Sequence, residues 1–429
     1  MYPHRLAYTP TAILKLGDCV LAWHARSVIS IDPTSPPMKF PPSCRFLAFS
    51  LVASAVAAEL PVLKVRPQII DAKISVGYGL AIADVDGDGQ PDILLADQKQ
   101  IVWYRAPHWE KFVMAENLTP KDNVCIAARD LDGDGKCEVA VGAEWAPNDT
   151  VNSGAIFLLN APADRTQRWT AVKLPHEPTT HRMHWLRGAD GKFFLAVLPL
   201  HGRGNKNNEG VGAAFMGYEW PWKETSRPFP LFGPDAALHA THNFDVLPGR
   251  AESVLVATKE GVRSFTAAGD VWFNRIRTTQ PVGEVRAGRS PGGIAWVAAI
   301  EPMHGNTLAI YRGSASADLT SSRLVLDESL NQGHGLATGD LLGLGSDQIV
   351  VGSRGAGKPG DKFGLKLYAP GVAPDTTWKL ATVIDDNQMA CEDLKIADLN
   401  GDGRPDIIAA GRATKNVIIY WNETSPPKP

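Results

Sequence analysis

Short apolar runs separated by polar turns fill most of the chain, and three segments share one pattern. In each, an apolar run is followed by an acidic loop and a second apolar run: AIADVDGDGQPDILLAD from Ala81, IAARDLDGDGKCEVAVG from Ile126, and KIADLNGDGRPDIIAAG from Lys395. Apolar runs bounded by Gly, Pro and Asp predict β-strands, and no helical periodicity follows the loops. The pattern therefore predicts strand–loop–strand units.

Fainter copies of this unit recur along the chain at spacings of 44 to 58 residues. The seven equivalent positions are Asp84, Asp130, Arg187, Asp245, Arg289, Asp340 and Asp398. Apolar runs between the units predict third and fourth strands, so the sequence predicts an all-β, seven-bladed β-propeller of four-stranded blades. A spare segment, LPVLKVRPQIIDAKI from Leu60, is expected to complete the last blade and close the ring. This gives one domain over residues 59–424.

The acidic loops carry the oxygen ligands that a calcium ion requires. Each reads D-x-(D/N)-x-D-G-x-x-(D/E), which places alternate carboxylates around a tight glycine turn. The candidate ligands are Asp84, Asp86, Asp88 and Asp92, then Asp130, Asp132, Asp134 and Glu138, then Asp398, Asn400, Asp402 and Asp406. We expect up to three structural Ca²⁺ ions. In the sixth unit, Leu342 and Leu344 stand where carboxylates would be needed.

These repeats resemble the FG-GAP or VCBS-type repeat, the blade unit of integrin-like β-propellers. The resemblance rests on three acidic loops with strands on both sides and extends more faintly around the predicted ring. It implies a propeller fold with calcium-binding loops. It does not imply a particular chemistry, because one fold carries many functions.

The segment MKFPPSCRFLAFSLVASAVAAEL from Met38 has the pattern of a secretory signal peptide. A short basic region, an apolar run and small residues follow one another, so residues 38–58 are expected to be removed by cleavage after Ala58. The apolar run is too short to span a bilayer. We therefore expect a secreted or periplasmic protein with no membrane span, and we interpret residues 1–37 as a mis-assigned N-terminal extension.

Charge and the known catalytic motifs exclude several classes of protein. Without residues 1–58 the chain has 38 Lys and Arg against 44 Asp and Glu, a net charge of −6, and it has no basic stripe of the kind that binds nucleic acid. No nucleophile motif, phosphate loop or dinucleotide fingerprint occurs, so kinases, serine hydrolases and nicotinamide-dependent enzymes have no support. We expect a monomer.

The histidines fall at a few equivalent repeat positions, which predicts a site on the propeller axis. In a propeller, the start of each first strand and the end of each second strand open on one face, opposite the acidic loops. The candidate catalytic residues at this mouth are His181, His239, His334, Glu392 and Tyr78. The candidate substrate-binding residues are His201, His304, Arg203, Arg354 and Arg412.

Such a set of side chains fits two kinds of chemistry. Imidazoles beside a carboxylate can hold Zn²⁺ or another divalent metal. His and Tyr can also act as base and acid in removing a proton next to a carboxylate, while arginines stabilise the anion. A third interpretation is structural: His184 and His242 lie between blades, and the other histidines only solvate the channel mouth.

The clustering also resembles a narrower group, the propeller domain of aldos-2-ulose dehydratase and some seven-bladed polysaccharide lyases. The matching segments are NQGHG around His334 and CEDLKIADL around Glu392, with His181 and His239. This resemblance implies a lyase or dehydratase acting on an oxidised sugar. The alternative is a non-catalytic module that binds a carbohydrate or a cell-surface ligand through the same face. An insertion from His201 to Glu224 carries Tyr218, Trp220 and Trp222, which are able to stack on sugar rings. The alternative is that the insertion is an ordinary long surface loop.

Overall fold

The computed structural model describes residues 15–16, 19–20, 60–223, 225–232, 238–268, 271–313, 322–371 and 377–425. The chain divides into two compact units, Met1–Val56 and Ala57–Pro429. In the first unit, Lys15–Leu16 and Cys19–Val20 form a two-stranded antiparallel sheet. The signal peptide predicted over residues 38–58 lies outside the described residues.

The described part of the second unit folds into seven antiparallel sheets of four strands each. Blade 1 contains Gly79–Ala83, Asp92–Ala96, Gln100–Arg105 and Glu110–Glu116. Blade 2 contains Cys125–Arg129, Glu138–Ala143, Ala155–Asn160 and Thr170–Leu174. Blade 3 contains Thr180–Arg187, Phe193–Pro199, Phe215–Glu219 and Phe229–Phe232. Blade 4 contains Asn243–Leu247, Ser253–Thr258, Gly261–Ala268 and Val271–Ile276.

The remaining three sheets follow the same order from first to fourth strand. Blade 5 contains Glu284–Ser290, Gly293–Glu301, Thr307–Arg312 and Arg323–Asp327. Blade 6 contains Gly333–Gly339, Gln348–Ser353, Gly364–Pro370 and Trp378–Asp386. Blade 7 contains Cys391–Ala397, Asp406–Gly411 and Asn416–Asn422, and its fourth strand is Val65–Asp71.

The seven sheets form a ring. The first strand of each blade contacts the first strand of the next, and the first strand of blade 7 contacts that of blade 1. The predicted all-β fold with seven four-stranded blades is confirmed. The described residues include no helix long and apolar enough to cross a membrane.

Packing between blades explains why the second strands read as continuous apolar runs. Successive side chains of a strand point to opposite faces of its sheet, and each blade has a neighbour on both faces. In blade 1, Leu94 packs with Val139 of blade 2, whereas Ile93 and Leu95 pack with Ile408 of blade 7. All of the side chains of Asp92–Ala96 are therefore buried. The fourth strand Val65–Asp71 lies at the rim and is only partly buried.

Candidate functional site

A cavity of about 760 Å³ opens at the end of the channel where first strands begin and second strands end. The predicted residues that line it are Tyr78, His181, His201, His304, His334, Arg354, Glu392 and Arg412. They come from five different blades. Trp145, Arg182, Lys206 and His242 also line the cavity, although the sequence did not single them out as site residues.

Three histidines meet at the base of this cavity. The Nε2 atoms of His304 and His242 lie 3.0 Å apart. The ring centroid of His334 lies 5.0 Å from that of each of the other two. One ligand nitrogen from each of the three residues falls within 4.8 Å of the others. The fold therefore brings together three imidazoles that are 30 and 62 residues apart in sequence.

Hydrogen bonds at Nδ1, on the side of the ring away from the cluster, fix the orientation of two of these imidazoles. His242 Nδ1 lies 2.9 Å from Glu284 Oε1, and a carboxylate oxygen accepts, so this nitrogen carries the hydrogen. His334 Nδ1 donates to the backbone carbonyl of Glu392 at 2.5 Å. Both residues are left with an unprotonated Nε2 that faces the cluster. For His304, Arg354 Nη2 donates to Nδ1 at 3.2 Å, and Nε2–H donates to His242.

A buried carboxylate and two arginines form the adjoining wall. Glu392 Oε2 accepts from Arg354 Nη1 at 3.1 Å and from Arg412 Nε at 2.9 Å. The side chain of Glu392 is 3% exposed, so these two guanidiniums hold a largely buried carboxylate. Arg182 lies nearby, with its Nη1 3.1 Å from His181 Nε2.

Burial keeps the imidazoles of the cavity neutral. Removal from water disfavours their charged form and lowers the pKa of His242. It lowers the pKa of His304 to about 2, aided by His242 and Arg354. The same burial lowers the pKa of His181 and His334 well below the usual value. At neutral pH these nitrogens offer lone pairs rather than positive charge.

Tyr78 supplies a protonated phenol on the same wall. Burial raises its pKa above the usual value. Its hydroxyl donates to Asp122 Oδ2 at 3.0 Å, and the Arg412 guanidinium lies 5.1 Å from the centre of its ring. The phenol therefore remains a proton donor across the physiological pH range.

The acidic loops lie between first and second strands, and glycine N–H groups shape them. In blade 1, Asp84 accepts from Gly87 N at 2.7 Å and from Gly89 N at 2.8 Å. Both glycines have positive φ, 84° and 82°, a backbone region that favours residues without a Cβ. Asp130 and Asp398 make the corresponding contacts with Gly135 and Gly403 in blades 2 and 7.

The loop of blade 1 fits a cation. Carboxylate oxygens of Asp84, Asp86 and Asp92 lie within 4.8 Å of one another, as do those of Asp130, Asp132 and Glu138. Asp86 Oδ1 is buried and has no hydrogen-bond partner among the described residues. Burial raises the pKa of Asp92 and of Glu138 to about 7. Clustered, partly desolvated carboxylates of this kind are typical of a calcium site.

The repeat family follows from these loops and from the ring that carries them. Residues 84–141, which include the loops of blades 1 and 2, match the model of the FG-GAP-like repeat. The chain contains an FG-GAP-like repeat within a seven-bladed β-propeller. The predicted resemblance to FG-GAP repeats is thereby confirmed, whereas the narrower resemblance to carbohydrate-active propellers stays a prediction.

Solved structures share the fold of this FG-GAP propeller. A chain of the mitotic checkpoint complex is similar over 94% of this chain and 99% of its own length, with a TM-score of 0.54 and 10% sequence identity. A chain in the crystal structure of BBS1N in complex with ARL6DN, soaked with mercury, is similar over 86% and 99%, with a TM-score of 0.54 and 12% identity. Such low identity shows the fold alone. No curated protein matches the chain in sequence.

Two predicted site residues of the propeller stand apart from the cavity lining. His239 Nδ1 lies 2.7 Å from Glu260 Oε1, and its Nε2 lies 3.1 Å from the carbonyl oxygen of Gly210. Arg203 Nη1 donates to the carbonyl of Val151 at 3.0 Å. Neither residue is among the described residues that line the cavity.

The aromatic residues of the insertion do not face the cavity, contrary to our expectation. Tyr218 is 2% exposed and packs against Trp222, with ring centroids 5.7 Å apart. Trp220 lies edge-on to Trp185 at 5.7 Å. These aromatic side chains pack in the core between blades. The part of the insertion that lines the cavity is polar and consists of Asn205, Lys206, Asn207 and Asn208.

One interpretation of the sequence placed His242 between blades with a structural role, but this residue belongs to the histidine cluster and lines the cavity. A usable signal was present, because His242 directly precedes the first strand of blade 4, and His334 is the second residue of the first strand of blade 6. Glu284 and Arg182 were also missed. Glu284 meets His242 from the neighbouring blade, 42 residues away in sequence, whereas Arg182 contacts the adjacent residue His181.

Proposed function

We propose that this FG-GAP propeller is a secreted, calcium-stabilised protein that binds an acidic carbohydrate in its axial cavity and acts on it as a lyase or dehydratase. The observation that supports this most strongly is the charge of the cavity wall. Arg182, Lys206, Arg354 and Arg412 line it against the single carboxylate of Glu392. This imbalance favours an anionic ligand.

The geometry of the arginines favours a carboxylate-bearing ligand over a simple counter-ion. Guanidinium groups bind carboxylates through two parallel N–H donors. Glu392 already occupies one face of Arg354 and of Arg412, and this pairing holds both guanidiniums at the cavity wall. A uronic acid fits such a wall because its carboxylate is planar and its hydroxyl groups can meet Asn205, Asn207 and Asn208.

Elimination from a uronic acid needs a base, an acid and charge stabilisation at the carboxylate. The base takes the proton next to the carboxylate, the electron pair of that C–H bond forms a C=C bond, and the neighbouring C–O bond breaks. The leaving oxygen takes a proton from an acid. We assign Tyr78 as the acid and the arginines as the groups that stabilise the carboxylate while charge accumulates there.

His201 is the base in this proposal. It lines the cavity and is half-buried. Its Nδ1 is itself buried and has no hydrogen-bond partner among the described residues, so we assign Nε2 as the nitrogen that accepts the proton. Burial lowers its pKa, with a further contribution from His239, so the ring is neutral and can accept a proton. His304 is a poor candidate, because an imidazole with a pKa of about 2 is too weak a base near neutral pH.

The calcium proposal concerns stability rather than chemistry. The ions would be held by the carboxylates of the loops in blades 1 and 2 and by Asp398, Asn400, Asp402 and Asp406 in blade 7. Each would neutralise a set of clustered acids and tie a first strand to a second strand. Secretion rests on the leader sequence of residues 38–58 alone.

The test is to mix the purified protein with oligomers of uronic acids and with neutral oligosaccharides of equal length. Calorimetry measures binding, and ultraviolet absorbance follows the double bond conjugated to the carboxylate that elimination creates. We expect binding and turnover of the acidic oligomers only. Tyr78→Phe should abolish turnover and retain binding, because it removes a proton donor from a ligand-filled cavity.

Two results would change the proposal. Binding of acidic oligomers by the wild-type protein without a new double bond would favour the alternative, a non-catalytic carbohydrate-binding propeller. Equal affinity for neutral and acidic oligomers, or no binding of either, would overturn the acidic ligand itself.

A further inference from the structure

We propose that His242, His304 and His334 form a binding site for a divalent transition metal of the zinc type at the base of the axial cavity. This metal site would lie in the same cavity as the proposed carbohydrate ligand. Metal binding can nevertheless be measured in the absence of any carbohydrate. It is separate from the acidic loops, which lie on the opposite face and offer oxygen rather than nitrogen.

The spacing of the nitrogens suits one ion. Zinc binds histidine nitrogen at about 2.0–2.1 Å in a tetrahedral arrangement, which separates two ligand nitrogens by about 3.3 Å. The Nε2 atoms of His242 and His304 are 3.0 Å apart, and all three ligand atoms lie within 4.8 Å of one another. Small side-chain rotations would bring the three to equal distances from a common centre.

The groups behind the rings have the arrangement that metal-binding histidines require. A ligating imidazole usually donates its other N–H to a carboxylate or a backbone carbonyl, which fixes the tautomer and the ring plane. Glu284 plays this part for His242 at 2.9 Å, and the carbonyl of Glu392 does so for His334 at 2.5 Å. Glu284 is 2% exposed, so the ring of His242 is held by a buried carboxylate, which also accepts from Asn243 Nδ2.

His304 reaches the cluster from a strained backbone. Its φ is +54°, a left-handed value that is uncommon for residues other than glycine. Such outliers cluster at functional sites. A metal on Nε2 requires the hydrogen of His304 to sit on Nδ1, where Arg354 now donates. Metal binding therefore requires Arg354 to give up this contact and keep its bond to Glu392.

The site would be open on one side. Three protein nitrogens leave at least one position for water or substrate, as in catalytic rather than structural zinc sites. Here the open side faces the 760 Å³ cavity, and Glu392 Oε1 lies 4.0 Å from His334 Nε2. A carboxylate ligand in the cavity would lie between the arginines and the metal.

The experiment measures Zn²⁺ and Co²⁺ uptake by the full protein in saturating calcium, which occupies the acidic loops. Bound metal is first removed with a chelator that prefers zinc to calcium. We expect one Zn²⁺ per chain, and visible absorption bands from Co²⁺ with nitrogen ligands. Replacing His242, His304 or His334 by Ala should weaken zinc binding at least 100-fold, and Glu284→Gln should weaken it about 10- to 100-fold.

Matched variants separate this site from its surroundings. His201→Ala removes a histidine from the same cavity but outside the cluster, and should leave zinc affinity unchanged. Arg354→Ala should retain or strengthen zinc binding while it weakens binding of an acidic oligomer, because the guanidinium competes with the metal for His304. Thermal unfolding checks that each variant is folded.

The outcomes are distinct. Wild-type protein that takes up no Zn²⁺ in calcium, or a folded His242→Ala variant that binds zinc as tightly as the wild type, would overturn the metal site. Zinc uptake that follows the three histidines, without binding of acidic oligomers, would support the site and contradict the proposed function.

Discussion

The two ends of the propeller channel hold ionisable groups in opposite ways. At one end, the acidic loops place carboxylates at exposed turns, and each set comes from nine consecutive residues such as 84–92. At the other end, imidazoles and one carboxylate are buried, and they come from five blades. The loop end is made by local backbone geometry, whereas the cavity end exists only when the ring is complete.

Chelation tests the loop end and has the largest expected effect. A ligand present at 100 times its Kd stabilises the folded state by about 2.7 kcal/mol per site, so three sites contribute several kcal/mol. Protein shown to contain calcium should unfold at a clearly lower temperature in EGTA. An unchanged unfolding temperature in that protein would contradict a structural role for the ions.

A pair of arginine variants tests the cavity end. Arg412→Ala removes from the cavity wall a guanidinium that the proposed ligand would contact, and hydrogen bonds to charged groups contribute about 1.5–3 kcal/mol. We expect affinity for an acidic oligomer to fall about 10- to 100-fold. Arg203→Ala is the control, since Arg203 lies outside the described lining and pairs with Glu177.

Calorimetry measures the affinity of both variants for the acidic oligomer. If Arg203→Ala lost affinity as strongly as Arg412→Ala, the ligand would bind further out than the cavity described above. Arg203, which lies outside the cavity lining, would then contribute as much to ligand binding as Arg412, which lies in it.

A third, smaller effect distinguishes a loop that can bind an ion from one that cannot. Asp130 in blade 2 and Asp340 in blade 6 both accept backbone N–H groups, from Gly135 at 3.1 Å and from Gly345 at 2.7 Å. Each Asp→Ala change should cost about 1–2 kcal/mol for lost hydrogen bonds. Only Asp130→Ala should lose additional stability when calcium is present.

The measurement is thermal unfolding of both variants with calcium and with EGTA. Equal losses under the two conditions for Asp130→Ala would show that its carboxylate shapes the turn without holding an ion. A calcium-dependent loss for Asp340→Ala would show that blade 6 also binds one.

The sequence predicted the fold well because its information is local. The loop pattern and the apolar strands, such as those around Asp84 and Asp398, repeat at a near-constant interval, and each unit can be recognised by itself. The same rule placed Tyr78, His334 and Arg354 at the correct mouth, since strand starts and strand ends alternate between two faces.

The contacts inside the cavity could not be predicted in this way. His239 and His242 are three residues apart in one unit, yet one pairs with Glu260 and the other joins the cluster. Which of them faces inward depends on the backbone just before the first strand, where Ala240 has a φ of +44°. The expectation that Tyr218 and Trp220 contact a sugar was wrong for a related reason. These residues lie in a long insertion, which has no equivalent position in the other repeats from which their burial could be inferred.

The loop of blade 6 shows that one repeat of a propeller can differ from the others in its side chains while its backbone turn is kept. Leu342, Leu344 and Gln348 replace the acids, yet Gly343 and Gly345 keep positive φ values of 66° and 71°. Gln348 Oε1 accepts from Leu342 N at 2.8 Å, one position further along the loop than the Val85 N that donates to Asp92 at 2.9 Å. The turn therefore keeps its shape in a blade that lacks the acids needed to hold an ion. Duplicated blades can diverge one at a time, since a single unit can give up its ligands without altering its neighbours, and new side chains can be sampled on a scaffold that stays intact.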